Sequence, residues 1–416
     1  MIPSRMSLQE LQDAVKLYHQ YFDQLESCFV GREDLLRLLK WAMIQRQHIL
    51  AFGKPGTAKT AVCDRDFEGI ENAEKFRIEL AMSMLDDAVF GPYNVKKLRE
   101  EGILEHNIDG MLPRADLARL GEFLDASMPL LRALLGALNE RRLRRGKQVI
   151  DQIPLLTVFC DTNKDPGEFL AKNAHAWAVL DRLLFMTEVH YLDDPKDITE
   201  MVLRFQSGKV GSVTTTIKLE MIHRLSELVV FPPSLIRDQL LFIKFGQAAY
   251  EYRQERSRRI EQDKIKVVLP EISDRRIAVA SQMMEAAAVL DGRLIAEPKD
   301  LLACADALGT TDVEHTLWCE IAGRKIEEIR TEKGQQLDHA QLVAVQSIID
   351  QAEAITASAN GDTRLAIGEL KALRHNLSQI VPDGDEVTQR VTVATGKLGE
   401  IEQRLRTRVL AEAGLE

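Results

Sequence analysis

The chain has 416 residues, of which 45% are hydrophobic and 28% charged, and its formal net charge is −10. This composition indicates a globular protein of two or three domains, and it argues against nucleic-acid binding by the whole chain and against a membrane span. The five cysteines are scattered without a C-x-x-C pair, which predicts thiols rather than a zinc site and, without a signal-peptide pattern, a cytoplasmic protein.

In the first half of the chain, the hydrophobic pattern of the sequence predicts helices that alternate with short apolar strands. Helices are expected over 7–28, 33–46 and 130–141, and strands over 48–52, 76–80, 115–120, 155–160 and 183–189. Strands that alternate with helices in this way predict a parallel, doubly wound α/β sheet.

The first strand leads into a glycine-rich turn with the layout of a phosphate-binding P-loop. Lys59 would neutralise phosphate oxygens and the Thr60 hydroxyl would bind Mg²⁺. Ala58 stands where the motif has glycine, and alanine fits there if the position has ordinary helical dihedrals. The alternative is a Gly/Pro turn that only joins a strand to a helix. The residues predicted to bind a nucleoside triphosphate here are Gly53, Lys54, Pro55, Gly56, Thr57, Ala58, Lys59, Thr60 and Ala61.

Polar residues near later strand ends are the candidate catalytic groups, because ligands of such sheets bind at strand ends. Glu122 could orient water, Asn163 could hold it, and Arg182, with a second guanidinium from the stretch 273–276 in the helical part, could stabilise charge during phosphoanhydride hydrolysis. For Asn163 the alternative role is turn formation, and for Arg182 it is a surface ion pair with Asp181.

The second half is predicted to be helical. Residues 1–194 would form the α/β domain, 195–310 an all-α lid and 311–416 a C-terminal helical region. Within 337–416, three helices with apolar 3–4 spacing are broken at 360–362 and 382–384. They favour an antiparallel three-helix bundle, and an intermolecular coiled coil is the alternative.

Eight stretches in characteristic order resemble the AAA+ ATPases, and within them the MoxR family, closest to its RavA-like branch. They cover about residues 25–300 and are 30–33, 53–60, 89–92, 110–115, 137–141, 162–163, 180–182 and 273–276. The resemblance implies a P-loop NTPase core with a helical lid, which uses ATP and Mg²⁺.

The resemblance also implies roles for individual residues and for partners. Val30 and Gly31 would line the adenine pocket, and 91–113 would be a hairpin insert. Asn163 would be the first sensor, and Arg182 an arginine finger that reaches a neighbouring subunit. Arg275 would be the second sensor, with adjacent Arg276 as the alternative. Such proteins form rings, here expected to be hexameric, for chaperone-like remodelling of a partner protein, often with a von Willebrand factor A domain.

The chain departs from the family where an apolar strand should end in Asp-Glu. Gly121 replaces the aspartate, Glu122 is retained, and Arg119 occupies an expected apolar position; Asp116 or Asp161 are candidate substitutes. We therefore expect slow hydrolysis with a high Mg²⁺ requirement. A nucleotide-gated scaffold is the alternative. A component of a DNA-processing or defence system is a third interpretation, based on the basic run 141–147, which is otherwise expected to be a solvated hairpin arm.

Overall fold

A computed structural model describes residues 6–145, 148–207, 213–230, 238–262, 265, 267–358, 363–380 and 385–412. The chain divides into two compact units, Met1–Ile326 and Glu327–Glu416. The first unit contains both the predicted nucleotide-binding part and the predicted lid. The predicted boundaries at residues 194 and 310 remain predictions.

The centre of the first unit is a five-stranded parallel sheet with the strand order β3-β4-β7-β1-β8. Each of the five predicted strands is present within two residues of its expected bounds, which confirms the predicted sheet. The strands of the described residues are β1 (Ile49–Phe52), β2 (Ile70–Glu71), β3 (Lys75–Glu79), β4 (Leu117–Gly121), β5 (Leu143–Arg145), β6 (Gln148–Ile150), β7 (Thr157–Thr162), β8 (Phe185–Glu188) and β9 (Ile217–Lys218).

Helices cover this sheet and form the rest of the chain. They are α1 (Leu8–Ser27), α2 (Glu33–Ile44), α3 (Lys59–Gly69), α4 (Asp87–Phe90), α5 (Val95–Glu101), α6 (Met128–Leu135), α7 (Pro166–Lys172), α8 (Trp177–Leu180), α9 (Pro195–Ser207), α10 (Leu219–Val230), α11 (Gln239–Glu261), α12 (Asp274–Ala280), α13 (Gln282–Leu290), α14 (Ala305–Leu308), α15 (Asp312–Ser358), α16 (Thr363–Ser378) and α17 (Asp385–Glu412). None of these described helices combines the length and the apolar character needed to cross a membrane.

The sheet is buried because helices pack on both of its faces. Strands β1 and β7 are buried along their whole length, as expected for central strands of a parallel sheet. One apolar cluster includes Phe52, Leu120 and Val158 from the sheet and Leu131 and Leu134 from α6. The helix predicted over 130–141 is present but changes type: α6 ends at Leu135, and a π-helical turn, Gly136–Glu140, continues it.

Two predicted hairpins have different outcomes. The segment 91–113, predicted to be a hairpin insert, contains the helix α5 and an isolated antiparallel bridge between Tyr93 and His106, so its two arms meet at this bridge and not along full strands. In the basic run, β5 and β6 pair antiparallel as predicted, and residues 146–147 lie outside the described residues. The prediction that this run is solvated is wrong for Arg141. Its guanidinium donates to the carbonyls of Leu155 and Arg46, and burial lowers its pKa to about 9.

The second unit is helical. The apolar seams of α15, α16 and α17 share one cluster that includes Val345, Leu370, Leu373 and Leu398, as a three-helix bundle within one chain requires. Helix α15 begins at Asp312, well before the predicted residue 337. The two predicted breaks, 360–362 and 382–384, lie outside the described residues.

A buried ion pair ties α11 to α15 in the first unit. Nε of Arg256 donates to Oε1 of Glu314 at 2.6 Å, and both side chains are almost fully buried. Arg256 also donates to the carbonyl of Pro270 at 3.1 Å, while Glu314 accepts from the hydroxyl of Thr310 at 2.6 Å. Removing one partner would leave the other buried charge uncompensated.

We expect Glu314→Ala to lower the free energy of unfolding by about 3–5 kcal/mol, because Arg256 would lose its buried carboxylate. Urea unfolding followed by the fluorescence of buried Trp318 measures this loss. The control is Glu320→Ala in the same helix, whose carboxylate is 59% exposed and 3.7 Å from Arg259. Loss of that pair should cost less than about 1 kcal/mol, and equal effects of the two substitutions would contradict the expectation.

Candidate functional site

The candidate site lies at the edge of the sheet where the parallel strands β4, β7 and β1 end. Because these three strands are neighbours, the residues that follow them are brought together. The glycine-rich loop follows Phe52 of β1, Glu122 follows β4, and Asn163 follows β7. Phe52 is paired in register with Thr162, so the loop begins beside Asn163. The structure thus brings together the glycine-rich loop, Glu122 and Asn163.

The loop between β1 and α3 has positive φ angles, which its glycine favours and its alanine does not. Gly53 has φ +133°, and a Cβ there would lie 2.4 Å from the carbonyl oxygen of Val189. Ala58 precedes α3 with φ 64° and ψ 15°, so the condition of ordinary helical dihedrals is not met. This left-handed conformation costs an L-residue roughly 1–2 kcal/mol relative to the right-handed one, which explains why the motif has glycine at this position.

Lys59 is the first residue of α3, and its ammonium is turned into the loop. Nζ donates to the carbonyls of Gly53 at 2.8 Å and Lys54 at 2.9 Å, to Oγ1 of Thr57 at 3.2 Å and to Oδ1 of Asn163 at 3.3 Å. Burial lowers the pKa of Lys59, and the charges of Asp161 and Glu122 oppose that shift. All four of these acceptors are neutral, so the positive charge is available to a phosphate.

Asn163 connects Lys59 to Glu122. While its Oδ1 accepts from Lys59, its Nδ2 donates to Oε1 of Glu122 at 2.6 Å. Burial and the nearby carboxylate of Asp125 raise the pKa of Glu122. A carboxylate held by an amide beside a phosphate-binding loop can orient an attacking water molecule, as predicted for this pair.

Arg119 of β4 also reaches this site. Its Nε donates to Oδ2 of Asp161 at 2.9 Å, and Nη1 lies 2.7 Å from Oε1 of Glu79. Nη2 donates to the hydroxyl of Thr60 at 3.1 Å. Burial lowers the pKa of this guanidinium, but the two carboxylates more than compensate and raise it. The buried arginine in this strand is therefore charged and paired.

The space next to Gly121 is filled by Glu79. A Cβ on Gly121 would lie 1.8 Å from Oε2 of Glu79 and 2.7 Å from Nη2 of Arg119. Glu79 ends β3 and is paired in register with Gly121, so its side chain replaces the missing aspartate with a carboxylate from the neighbouring strand. Glu79 was not among the residues predicted for the site. The signal in the sequence that could have indicated it is an acidic residue at the end of a predicted strand.

Neither of the two carboxylates predicted as substitutes for the missing aspartate is free to take its place. Asp116 precedes β4 and accepts from the backbone N–H of Glu74 at 2.7 Å, at the opposite edge of the sheet. Asp161 is paired with Arg119.

These residues do not fit a Mg²⁺ ion. The Thr60 hydroxyl and the carboxylates of Asp161 and Glu79 are all engaged by one guanidinium, which would repel a divalent cation at this place. Within the described part of the chain, no group of three or more His, Cys, Asp or Glu side chains is arranged to hold a metal.

The predicted adenine-binding residues lie in a segment that contacts the loop. Val30 lines a cavity of about 460 Å³ together with Phe29, Glu33 and Asp197. Gly31 has φ +65°, and Arg32 next to it donates from Nε to the carbonyl of Thr57 at 2.8 Å. This contact joins the segment that contains Val30 and Gly31 to the phosphate loop.

Tyr191 contacts the loop from the segment that follows β8. Its hydroxyl donates to the carbonyl of Pro55 at 3.0 Å, and Nζ of Lys54 is 5.7 Å from the centroid of its ring.

Arg182 and Arg275 lie together at the opposite edge of the sheet. Arg182 precedes β8, and its Nη1 donates to the carbonyl of Ala178 at 2.8 Å. Arg275 donates from Nη1 to the carbonyl of Asp181 at 3.0 Å and from Nε to Oδ1 of Asn139 at 2.9 Å. Because β8 runs parallel to β1, this edge is the one away from the loop of the same chain.

Arg276 is used for packing. Its side chain is fully buried and donates to the carbonyls of Ala307 at 3.0 Å, Leu183 at 3.2 Å and Leu184. Burial lowers the pKa of this guanidinium to about 10. Of the two adjacent arginines, Arg275 is the one with a partly exposed side chain.

The strand order and the glycine-rich loop with its lysine define a P-loop NTPase of the AAA+ type. The chain belongs to the MoxR family: residues 16–227, about half of the chain, match the family described as the MoxR domain in the MoxR-vWA-beta-propeller ternary systems.

Relatives of known sequence match between about half and two thirds of this chain. Two uncharacterized proteins of Methanocaldococcus jannaschii are 26% and 25% identical over 67% of this chain, and the matches span 68% and 66% of their own lengths. A structural protein of Acidianus two-tailed virus is 25% identical over 47% of this chain and 32% of its own length.

Among solved structures, an ATPase candidate from Cytophaga hutchinsonii superposes with a TM-score of 0.54 over 70% of this chain and 85% of its own. Its sequence is 16% identical, so this likeness shows the fold alone.

We expect Ala58→Gly to raise the free energy of unfolding by up to about 1 kcal/mol, because glycine adopts the left-handed conformation without steric cost. Thermal and urea unfolding measure the change. The same substitution at Ala61, three residues later and inside α3, should lower stability by up to about 1 kcal/mol. If both substitutions destabilise equally, the strain assigned to Ala58 is wrong.

Proposed function

We propose that this chain is a MoxR-type protein of the RavA-like branch that binds ATP and hydrolyses it slowly. The observation that carries this proposal is the position of Lys59. Its ammonium is held only by neutral acceptors within the loop, and it contacts Asn163, which also holds Glu122. Phosphate oxygens can replace these acceptors without breaking an ion pair.

We further propose that the chain works as a homo-oligomeric ring, hexameric as the family resemblance implies. Arg182 and Arg275 lie at the edge of the sheet opposite to the loop, so in one subunit they are away from its own phosphates. Nε of Arg182 is buried without a hydrogen-bond partner among the described residues. A neighbouring subunit's loop facing this edge would complete a site, with Arg182 as the finger and Arg275 as the second sensor.

The partner that we propose is a protein with a von Willebrand factor A domain. The family's description names MoxR, vWA and beta-propeller components in one system, which supports such a partner. Chaperone-like remodelling of this partner is the activity that the family resemblance implies. The cytosol is the proposed compartment, since none of the five cysteines, all within the described residues, forms a disulfide.

A nucleotide-gated scaffold with little turnover is the second candidate. The observation that favours it is the engagement of Thr60, Asp161 and Glu79 by Arg119, which leaves the predicted metal ligand occupied. The viral relative, described as a structural protein, agrees with a role in assembly. Steady-state turnover of ATP by the assembled protein separates the two candidates.

We expect Lys59→Ala to abolish ATP binding, because the main cation of the loop would be lost. Calorimetric titration with a non-hydrolysable ATP analogue measures it. Lys16→Ala, which removes an exposed lysine of α1, is the charge-matched control and should bind as the unsubstituted protein does. Near-normal affinity of the Lys59 variant would remove the proposed nucleotide site.

We expect Arg182 to act on the site of a neighbouring subunit. Arg182→Ala and Glu122→Gln should each reduce turnover, and fingers supplied across interfaces contribute about 10³–10⁵ in rate in related chemistry. Mixing the two variants should restore part of the turnover, because some interfaces then combine an intact Glu122 with an intact Arg182. If mixed rings form, as native mass spectrometry can show, and no turnover returns, Arg182 is not a finger.

A further inference from the structure

Arg119 lies where a P-loop site would place its divalent cation. The hydroxyl of Thr60, the second residue of α3, accepts from Nη2 of Arg119 at 3.1 Å. In P-loop proteins the hydroxyl that follows the lysine is a ligand of Mg²⁺. A permanent positive charge of the chain itself is thus in contact with the predicted metal ligand.

The guanidinium is held firmly in this place. Nε donates to buried Asp161 at 2.9 Å, and Nη1 contacts Glu79 at 2.7 Å from the other side. The side chain of Arg119 is only 7% exposed, whereas that of Glu79 is 59% exposed, so the cluster opens to solvent on the side of Glu79. Pairing with two carboxylates is what allows a charged arginine to be buried here.

Arg119 also retains hydrogen-bonding capacity. A guanidinium has five N–H groups. Its contacts within the described residues, to Asp161, Glu79 and Thr60, account for three of them. The other two belong to Nη1 and Nη2, the nitrogens that contact Glu79 and Thr60. Arginine recognises phosphate oxygens with such paired donors.

The aspartate that would anchor a hydrated metal ion cannot be added by a simple substitution. The space beside Gly121 is filled by the carboxylate of Glu79 and approached by Nη2 of Arg119. The absence of the aspartate, the contribution of Glu79 and the presence of Arg119 therefore form one arrangement.

We propose that Arg119 replaces the divalent cation and that this site binds ATP as the metal-free nucleotide. The β- and γ-phosphate oxygens would be held by Lys59, by the backbone N–H groups at the start of α3 and by the guanidinium. This inference rests on the proposed ATP binding and replaces the sequence-based expectation of a high Mg²⁺ requirement. A single fixed charge neutralises less than a divalent ion does, which agrees with slow hydrolysis.

The test is calorimetric titration of the full-length protein with a non-hydrolysable ATP analogue, in excess Mg²⁺ and in excess EDTA. We expect the two dissociation constants of the unsubstituted protein to agree within about threefold. The double variant Arg119→Met with Asp161→Asn removes the guanidinium without leaving a buried charge unpaired. It should bind about 10- to 100-fold more weakly in EDTA, the loss expected for a hydrogen bond to a charged group.

Arg77→Met is the matched control. Arg77 is paired in register with Arg119 on the neighbouring strand and contacts Asp64 at 2.9 Å, so the variant loses the same charge nearby. The affinity of the Arg77→Met variant for the ATP analogue should not change, either in Mg²⁺ or in EDTA. The variant Glu79→Ala, Arg119→Val, Gly121→Asp and Asp161→Asn provides room for an aspartate and removes the guanidinium together with its buried partner, and its binding should become dependent on Mg²⁺.

The outcomes separate this inference from the proposed function. If the unsubstituted protein binds the analogue in Mg²⁺ and loses it in EDTA, the inference is overturned and the nucleotide site stands. If it binds in neither solution, the proposed ATP binding itself fails. If binding persists in EDTA and the double variant, shown to be folded by circular dichroism, binds as tightly, Arg119 is not the replacement. Should the double variant not fold, the comparison of the two solutions on the unsubstituted protein decides.

Discussion

A guanidinium inside a sheet must be paired, and this constraint determines the candidate site. Arg119 points from β4 toward the phosphate loop and meets Asp161 of β7 and Glu79 of β3. Because Glu79 reaches across to this pair, its carboxylate occupies the space beside Gly121. The same guanidinium contacts Thr60, so a side chain in the sheet reaches the start of α3. The unusual residues at 119 and 121 thus have one physical cause.

The parallel sheet also separates the charged residues into two groups. Lys59, Glu122 and Asn163 lie at the edge where the strands end, while Arg182 and Arg275 lie at the edge where β8 begins. Burial lowers the pKa of Lys59 and of Arg275, so both cations favour contact with an anion. In the proposed ring, these two edges of adjacent subunits would face each other. The cations of both edges would then lie near the same bound phosphates.

Much of this architecture could be predicted from the sequence because its strands are apolar runs bounded by turn residues. The positions of Glu122 and Asn163 followed from the rule that ligands bind at strand ends. The role of Glu79 could not be predicted, because it depends on β3 lying next to β4, which only the sheet order shows. The left-handed backbone of Ala58 was missed because alanine ordinarily adopts helical dihedrals.

Arg275 and Arg276 illustrate a further limit. They are adjacent in a helix, and a rotation of about 100° per residue decides which of them faces the core. The sequence leaves both possible, whereas in the structure Arg276 is buried against three backbone carbonyls. Neighbouring identical residues can be distinguished only when the packing of their helix is known.

The amide of Asn163 has a consequence for how occupancy of the loop could be communicated. One side chain joins the ammonium of Lys59 to the carboxylate of Glu122, through an acceptor at 3.3 Å and a donor at 2.6 Å. Phosphate oxygens would compete with the amide oxygen for the ammonium, while the amide nitrogen can keep its hydrogen bond to Glu122. A single amide thereby couples the cation that would bind phosphate to the carboxylate that would orient water.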